Sequence, residues 1–202
     1  MQSKYLEKEE LKKLRAVMSE ERFLPLWVAL ETGLRVGDVV AIKCRNVKDD
    51  GIHYRAQKTS KYGVAPISEE LRKRLCKRGK WLFPSPKNPN EHITRQTVWH
   101  RIKAAGKRAG LDLRGVSPHA LRKVFAVELY RDQGFAVVKK ALQHNNNATT
   151  EIYTFADWTT GENANKPLQR KDIELIIRKC LEALTETYTD KINGINRPKR
   201  GD

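Results

Sequence analysis

Four short blocks of reactive side chains follow one another along this 202-residue chain. Arg35 ends the block Thr-Gly-Leu-Arg, His119 and Arg122 bound the block His-Ala-Leu-Arg, His144 ends Leu-Gln-His, and Tyr153 stands nine residues later. Together they supply two guanidinium groups, two imidazoles and a phenol, the groups needed to attack a phosphodiester and to hold its transition-state charge. A fold that uses them as one site must bring distant parts of the chain together.

The chain is strongly basic, with a formal net charge of +16 and a sequence pI of about 9.9. Such an excess attracts polyanions, of which duplex DNA is the commonest. A basic surface that is merely solvated is the alternative that charge alone leaves open. Hydrophobic residues make up 39% of the chain and charged residues 32%. The length therefore suffices for one globular domain with its own core, or one domain plus tails.

Cysteine use and hydropathy exclude several classes of protein. Cys44, Cys76 and Cys180 are widely spaced and odd in number. This pattern indicates neither a zinc ribbon nor a disulfide framework, and it favours a reducing, cytoplasmic setting. No apolar run approaches the ~20 residues of a membrane-spanning helix, and the charged N-terminus does not resemble a signal peptide. The sequence shows no acidic cluster suited to Mg²⁺, which disfavours a hydrolytic nuclease. No metal or other cofactor is expected.

Apolar periodicity and breaker residues predict a mixed α+β fold that is mainly α-helical, with a small antiparallel β-sheet. Two strands, 51–56 and 63–67, flank a polar turn that runs from Lys58 to Lys61. Pro66 marks the second of them as an edge strand. The sequence therefore places two lysines on an exposed hairpin turn.

Helix boundaries are predicted from capping residues. Gly33 is a suitable terminator for a helix that begins near residue 20. Ser117, followed by proline, predicts the start of the helix that carries His119. The predicted helices cover 20–32, 36–43, 69–80, 95–109, 119–134, 135–142 and 148–155, with a further helical pattern at 6–17 and an amphipathic helix at 173–184.

Context separates the reactive blocks from chance matches. A second His-x-x-Arg spans His92 to Arg95, but no Leu-Gln-His and tyrosine follow it at the same intervals. That copy is therefore interpreted as a surface loop. Tyr153 is likewise singled out by its context, because it is the one tyrosine of the sequence that follows a Leu-Gln-His block by nine residues.

These blocks resemble the catalytic domain of the tyrosine recombinases, the phage integrase family. The family pattern is Thr-Gly-Leu-Arg followed by an acidic residue, a hairpin lysine, His-x-Leu-Arg, Leu-Gly-His and a tyrosine nine residues on. Here the acidic residue is Asp38 and the hairpin lysine is Lys58, and the likeness covers roughly residues 5–155. Gln143 replaces the usual glycine, and Lys123 stands where histidine is common. The resemblance implies the tyrosine recombinase catalytic-domain fold.

The resemblance also implies a transesterification site. Arg35 and Arg122 would present donor forks to the non-bridging oxygens of a phosphodiester, and Tyr153 would be the nucleophile. A tyrosine phenol titrates near ~10, so Tyr153 needs a base or nearby positive charge to attack at neutral pH. For Arg35, an ion pair with Asp38, three residues along a helix, is the alternative.

The remaining catalytic groups implied by the resemblance are two histidines and a lysine. His119 is the candidate general base, or else orients the phosphate or the tyrosine, and His144 would donate to a non-bridging oxygen. A histidine taken alone more often has a structural role. Lys58 would be the general acid that protonates the 5′-oxygen leaving group, with Lys61 as its rival. Simple contacts of both lysines with phosphate or water are the alternative.

Further basic side chains are candidates for DNA contacts that hold phosphates without reading sequence. One group lies on the predicted helix after Ser68 and the other on the helix after Thr94. Ordinary solvated helix faces are the alternative for part of this set. Together with Lys61, the candidates are Arg72, Arg74, Lys77, Arg95, Arg101 and Lys103.

The function expected from the resemblance is site-specific DNA recombination through a covalent 3′-phosphotyrosine, used to integrate or excise a mobile element. The expected partners are double-stranded DNA, further copies of the chain in a homotetramer on paired sites, and accessory DNA-bending proteins; no membrane is expected. A type IB topoisomerase-like relaxase and a non-catalytic DNA-binding protein on the same scaffold are the alternatives.

The expected domain organisation is a catalytic domain at 1–157, a linker with an amphipathic helix at 158–192, and a disordered tail at 193–202. The apolar face of that helix would serve equally for packing on its own domain or for exchange with a neighbouring subunit. Members of the family usually carry an N-terminal core-binding domain. We expect this domain to be absent from the chain, which should then bind DNA weakly when alone.

Overall fold

The computed structural model describes residues 6–75, 79–114, 116–133, 137–138 and 141–142 of the chain. Its architecture is mixed and mainly helical with a small antiparallel sheet, so the predicted fold class is confirmed. A single 3₁₀ turn, Cys44–Asn46, precedes the sheet. The elements are α1 (Lys8–Val17), α2 (Glu20–Thr32), α3 (Val36–Val40), β1 (Val47–Lys48), β2 (Gly51–Arg55), β3 (Tyr62–Ala65), α4 (Glu69–Arg74), α5 (Arg95–Arg108) and α6 (His119–Gln133).

The chain divides into two compact units, Met1–Glu128 and Leu129–Asp202. The first holds all of these elements up to the middle of α6. In the second, the described residues include a backbone hydrogen bond of 2.9 Å from the amide of Leu142 to the carbonyl of Val138. In the parts of the chain that the structure describes, no helix combines the length and apolar character that crossing a membrane requires.

Two helices are shorter than their apolar patterns predict, and α3 shows why. The pattern predicts a helix over 36–43, but α3 ends at Val40. The amide of Leu82 donates to the carbonyl of Ile42 at 2.9 Å, and Lys43 forms an antiparallel bridge with Trp81. Because these strand-like bonds use the backbone groups that another helical turn would need, the helix stops. Likewise α4 ends at Arg74 rather than near residue 80.

The sheet has the order β1-β2-β3, with both neighbouring pairs antiparallel. Ile52 in the central strand is fully buried and pairs with Val47 on one side and Ala65 on the other. The opposite face carries Tyr62, which is 79% exposed, and Val64, which is 48% exposed. Strand β1 has only two residues, which is too short for an alternating pattern to reveal it.

Helix α5 belongs to the core and precedes the site-bearing helix α6 in the chain. The hydroxyl of Thr94, the N-cap of α5, accepts a hydrogen bond from the amide of Thr97. Val98, Ile102 and Ala105 are buried in the core, and α5 packs against α1, α2 and α3. The following helix, α6, is buried on almost every side along its first turns. It therefore runs through the interior and fixes the position of the His-Ala-Leu-Arg block.

Candidate active site

The Thr-Gly-Leu-Arg block forms the sharp break between α2 and α3. The hydroxyl of Thr32 donates to the carbonyl of Val28 at 2.6 Å and accepts from the amide of Leu34 at 3.3 Å. Gly33 adopts the left-handed conformation with φ of 63°, which few residues with a Cβ adopt. Arg35 follows as the N-cap of α3 in extended backbone conformation. The sequence thus places Arg35 at the start of a new helix.

Gly33 also joins this break to α6. Nη1 of Arg122 donates a 2.6 Å hydrogen bond to the carbonyl oxygen of Gly33, and Arg122 is only 4% exposed. A Cβ added to Gly33 would lie 2.2 Å from Cδ1 of Phe125, well inside van der Waals contact. The two arginine-bearing blocks, 89 residues apart in the chain, therefore meet at the backbone of one glycine.

His119 lies within the positive electrostatic field of Arg122 and Arg35. Its amide donates to the hydroxyl of Ser117 at 3.2 Å, which fixes the first turn of α6. The residue as a whole is exposed, yet partial burial of its ring lowers its pKa, and the positive charges of Arg122, Arg35 and Lys123 lower it further. The structure thus brings together three of the residues that the sequence predicted to be catalytic.

Lys123 occupies the position where the family pattern commonly has histidine. It is one helical turn after His119, so the two side chains leave α6 on the same face. Burial lowers the pKa of the Lys123 ammonium. This departure from the family pattern therefore adds a half-buried cation beside the predicted general base.

Lys58 and Lys61 belong to the turn that joins β2 to β3. The turn is closed by hydrogen bonds from the amide of Ala56 to the carbonyl of Lys61 at 2.9 Å and from the amide of Ser60 to the carbonyl of Ala56 at 2.7 Å. Ser60 has a φ of 54°, the left-handed value that such a tight turn requires. Both lysines are exposed.

A direct tether connects this turn to α3. The amide of Gln57 donates to Oδ1 of Asp38 at 2.9 Å, and Nε2 of Gln57 donates to the carbonyl of Gly37 at 3.3 Å. Asp38 is only 6% exposed. In the described part of the chain, this carboxylate forms no ion pair with Arg35, and the role of that arginine stays a prediction. Asp38 instead links the helix that follows Arg35 to the residue before Lys58.

Several of the basic residues predicted to contact DNA have partners within the protein. Nη1 of Arg72 lies 2.6 Å from Oδ1 of Asp49. Nη1 of Arg74 lies 2.7 Å from Oε1 of Glu20, and its guanidinium is 5.7 Å from the ring centroid of Trp27. These interactions reduce the charge that the two arginines offer to a phosphate, and their roles in DNA binding stay predictions.

The candidates on α5 differ among themselves. Nζ of Lys103 donates to the carbonyl of Leu113 at 2.9 Å and lies 4.5 Å from the ring centroid of Trp99. Burial, and then the neighbouring Arg22, lower the pKa of Arg101. Arg95 in the first turn of α5 is exposed.

The predicted residues Lys77, His144 and Tyr153 lie outside the described residues.

Arg74 and Arg101 lie in a different part of the fold from Arg35 and Arg122. Arg74 contacts Glu20 at the start of α2, and Arg101 lies in the field of Glu21 and Arg22. Arg35 follows the opposite end of this 13-residue helix, which at 1.5 Å per residue spans about 20 Å. Arg74 and Arg101 therefore lie at the far end of α2 from the predicted catalytic residues.

Two features of the site were missed by the sequence analysis. One is the hydrogen bond between Asp38 and Gln57, which are 19 residues apart. The other is a group of cations, Lys43, Arg45 and Arg55, that line a cleft beside the hairpin. No local pattern in the sequence indicates either feature, because each depends on how the sheet lies against α3. Among the described residues, no group of three His, Cys, Asp or Glu side chains is placed to hold a metal ion.

Solved structures and curated proteins of the recombinase and integrase kind are similar to this chain. XerA recombinase has a TM-score of 0.64 and 27% identity, covering 88% of this chain and 64% of the other. The catalytic domain of bacteriophage HP1 integrase has a TM-score of 0.63 and 24% identity, covering 84% of this chain and 98% of the other. Tyrosine recombinase XerD of Yersinia pestis is 34% identical over 142 residues, which are 64% of this chain and 48% of XerD. XerD of Pseudomonas putida is 35% identical over 144 residues, which are 64% of this chain and 47% of that XerD.

The chain thus spans about half the length of the curated relatives it matches. The likeness of the solved structures agrees with the mixed, mainly helical fold described above. The sequence model of the phage integrase family matches residues 4–159, a range that contains every block from Thr-Gly-Leu-Arg to Tyr153. With that match over most of its length, the chain belongs to the phage integrase family.

Proposed function

We propose that this chain is the catalytic portion of a site-specific DNA recombinase that cleaves and rejoins DNA through a 3′-phosphotyrosine. The observation that carries this proposal is the hydrogen bond from Arg122 to Gly33, which joins the block of His119 and Arg122 to the block of Arg35. The relatives support it by name, as tyrosine recombinases. Integration or excision of a mobile element is the use that we propose for the reaction.

The proposed reaction is a transesterification. The phenolic oxygen of Tyr153 forms a bond to phosphorus while the bond from phosphorus to the 5′-oxygen breaks. The phenolic proton passes to His119, and Lys58 donates a proton to the 5′-oxygen, which leaves as a free hydroxyl. Attack by a 5′-hydroxyl on the phosphotyrosine reverses the step. Because the phosphodiester bond energy is kept in the covalent intermediate, rejoining requires no ATP.

The two arginines would stabilise the charge that develops on the non-bridging oxygens. Guanidinium groups remain protonated at any working pH and match phosphate oxygens with paired donors. The bond from Arg122 to Gly33 fixes one nitrogen of its fork, so the guanidinium is preorganised before DNA binds. His144 would donate a further hydrogen bond to a non-bridging oxygen.

The proposed partners are double-stranded DNA and further copies of the chain, in a homotetramer on paired sites with accessory DNA-bending proteins. Lambda integrase has been solved as a tetramer bound to a Holliday junction, and XerH bound to difH substrate in a pre-cleavage complex. We extend these states to this chain. The proposed phosphate contacts are Lys61, Arg72, Arg74, Lys77, Arg95, Arg101 and Lys103.

Covalent capture tests this proposal without knowledge of the DNA site. The protein would be mixed, in EDTA, with a pool of nicked duplexes of randomised sequence, and covalent adducts would be recovered from a denaturing gel and sequenced. We expect adducts that converge on one sequence for the wild type and none for Tyr153→Phe. Equal adduct yield from the variant would overturn the assignment of the nucleophile. Relaxation of supercoiled plasmids that lack the selected sequence would indicate a topoisomerase instead.

A further inference from the structure

A cleft of about 290 Å³ lies beside the hairpin, between residues 41–46 and the strands β2 and β3. Lys43 and Arg45 line one side of it, and Arg55 and Tyr62 line the other. Asp38 also lines the cleft and is its only carboxylate among the residues that the structure describes. The cleft is thus formed by the segment that follows α3 and by the hairpin that carries Lys58.

Two of the three cations are held in place by aromatic rings. The guanidinium of Arg55 lies 5.4 Å from the ring centroid of Tyr62, and its Nε donates to the carbonyl of Ser60 at 3.3 Å. Nζ of Lys43 lies 5.6 Å from the ring centroid of Trp81. Stacking on a ring restricts the side chain but leaves the positive charge in place. These cations are therefore preorganised without being neutralised.

In the part of the chain that the structure describes, no acidic side chain balances this charge, because Lys43, Arg45 and Arg55 form no ion pair with a carboxylate. The carboxylate of Asp38 is buried and accepts the amide of Gln57. His53, which also lines the cleft, lies 2.8 Å from a carboxylate oxygen of Asp50. In contrast to Arg72 and Arg74, the three cations of the cleft keep their full charge for an external anion.

The cleft is close to the proposed chemistry. Asp38 lies one helical turn after Arg35, and Gln57 immediately precedes Lys58. A duplex whose scissile phosphate contacts Arg35 would carry its neighbouring phosphates past this part of the surface. We propose that the cleft formed by Lys43, Arg45 and Arg55 binds a backbone phosphate of the DNA next to the cleavage site. This inference rests on the proposed function and adds a contact that fixes the register of the duplex.

Salt dependence of DNA binding tests the inference. Each neutralised phosphate contributes about 0.9 to the slope of log K against log salt. In a Tyr153→Phe background, the double variant Arg45→Gln/Arg55→Gln would be compared with the parent on a 30-base-pair duplex of fixed sequence. We expect the slope to become shallower by about 0.9, as expected for the loss of one phosphate contact.

A matched control removes the same charge elsewhere. Lys12 and Lys73 are exposed and paired with Glu9 and Glu69 at 2.6 and 2.8 Å, so Lys12→Gln/Lys73→Gln should change the slope by less than half as much. Equal slopes for the cleft variant and the parent would overturn the inference, as would an equal effect of the control. Coincident thermal unfolding curves would show that both variants fold.

A second experiment distinguishes a DNA phosphate from a free anion as the ligand of the cleft. Calorimetric titration with inorganic phosphate would be run on the same proteins. Phosphate that binds the parent but not the cleft variant, with equal DNA slopes, would identify a free-anion site and overturn the inference. Covalent adduct formation by the wild type is measured in a separate assay. A shallower slope for the cleft variant, with no adduct from the wild type, would support phosphate binding in the cleft and reject the proposed recombinase activity. Adducts from the wild type, with equal slopes for the cleft variant and its parent, would support the recombinase activity and overturn phosphate binding in the cleft.

Discussion

Arg122 reaches across 89 residues of sequence to donate a 2.6 Å hydrogen bond to the carbonyl of Gly33. The same glycine has a φ of 63°, and its Cα faces the ring of Phe125. Two independent constraints therefore select glycine at this position, one on backbone conformation and one on space. The spacing of the two arginine blocks in the fold depends on both constraints.

Gly33→Ala should therefore destabilise the fold by about 2–4 kcal/mol, because left-handed strain and overpacking add. Gly110 supplies a matched control: its φ is 64°, but a Cβ there would meet nothing within 4 Å. Gly110→Ala should cost only about 1 kcal/mol from strain alone. Urea denaturation of both variants measures the difference. Equal losses of unfolding free energy would show that contact with Phe125 has no energetic weight.

The motifs predicted from sequence which residues would form the site, but not which of the other basic side chains would pair within the protein. Arg35, His119 and Arg122 converge because glycine, proline and capping residues set the local breaks that place them. The ion pairs of Arg72 and Arg74 join residues 23 and 54 positions apart. No local periodicity encodes such pairs, since they depend on how whole helices pack. Charge counts therefore predict a basic protein but not which cations stay available.

Replacement of Arg122 by lysine keeps the charge but removes the planar fork and its bond to Gly33. We expect the rate of adduct formation at saturating DNA to fall by roughly 10²–10³-fold, as when one preorganised donor is lost. Single-turnover assays on the selected duplex measure this rate. Arg114→Lys is the control, because that guanidinium pairs with Asp112 on the exposed surface. A rate for Arg122→Lys within a few-fold of the wild type would contradict the proposed clamp.

The pH dependence of cleavage should report the environment of His119. Burial and the neighbouring cations lower the pKa of His119 from its ordinary value of about 6.5. The neutral imidazole, which can accept a proton, therefore persists below that pH. Adduct formation should stay constant as the pH falls to about 6.5 and decline only at more acidic values.

Removal of one of the cations near His119 should shift the acidic loss of adduct formation to a higher pH. Lys123→Gln leaves Arg122 and Arg35 facing His119 but takes away one positive charge, so the pKa of His119 rises and activity is lost at a higher pH. Lys107→Gln, an exposed position on α5, should leave the profile unchanged. A Lys123→Gln profile that moves to lower pH would reject a basic role for His119, and one that coincides with the wild type would show that the charge of Lys123 does not influence His119.

A substrate with sulfur at the 5′-bridging position distinguishes Lys58 from Lys61. A thiolate leaves without protonation, so loss of the general acid has little effect on its departure. We expect Lys58→Ala to slow cleavage of the normal substrate by about 10²–10⁴-fold and to cleave the sulfur substrate at nearly the wild-type rate. Lys61→Ala should show a smaller loss and no recovery. The opposite pattern would assign the general acid to Lys61.

The tether between Asp38 and Gln57 should influence catalysis through the placement of Lys58. Asp38→Ala leaves the amide of Gln57 without its 2.9 Å acceptor, which should cost about 1–2 kcal/mol of unfolding free energy. It should also slow cleavage of the normal substrate. Asp38→Asn keeps an acceptor oxygen and should lose less of both. Because Asp38 would act through the general acid, the sulfur substrate should restore much of the rate of Asp38→Ala. If that variant remains equally slow on both substrates, the tether acts on the fold alone and does not position Lys58.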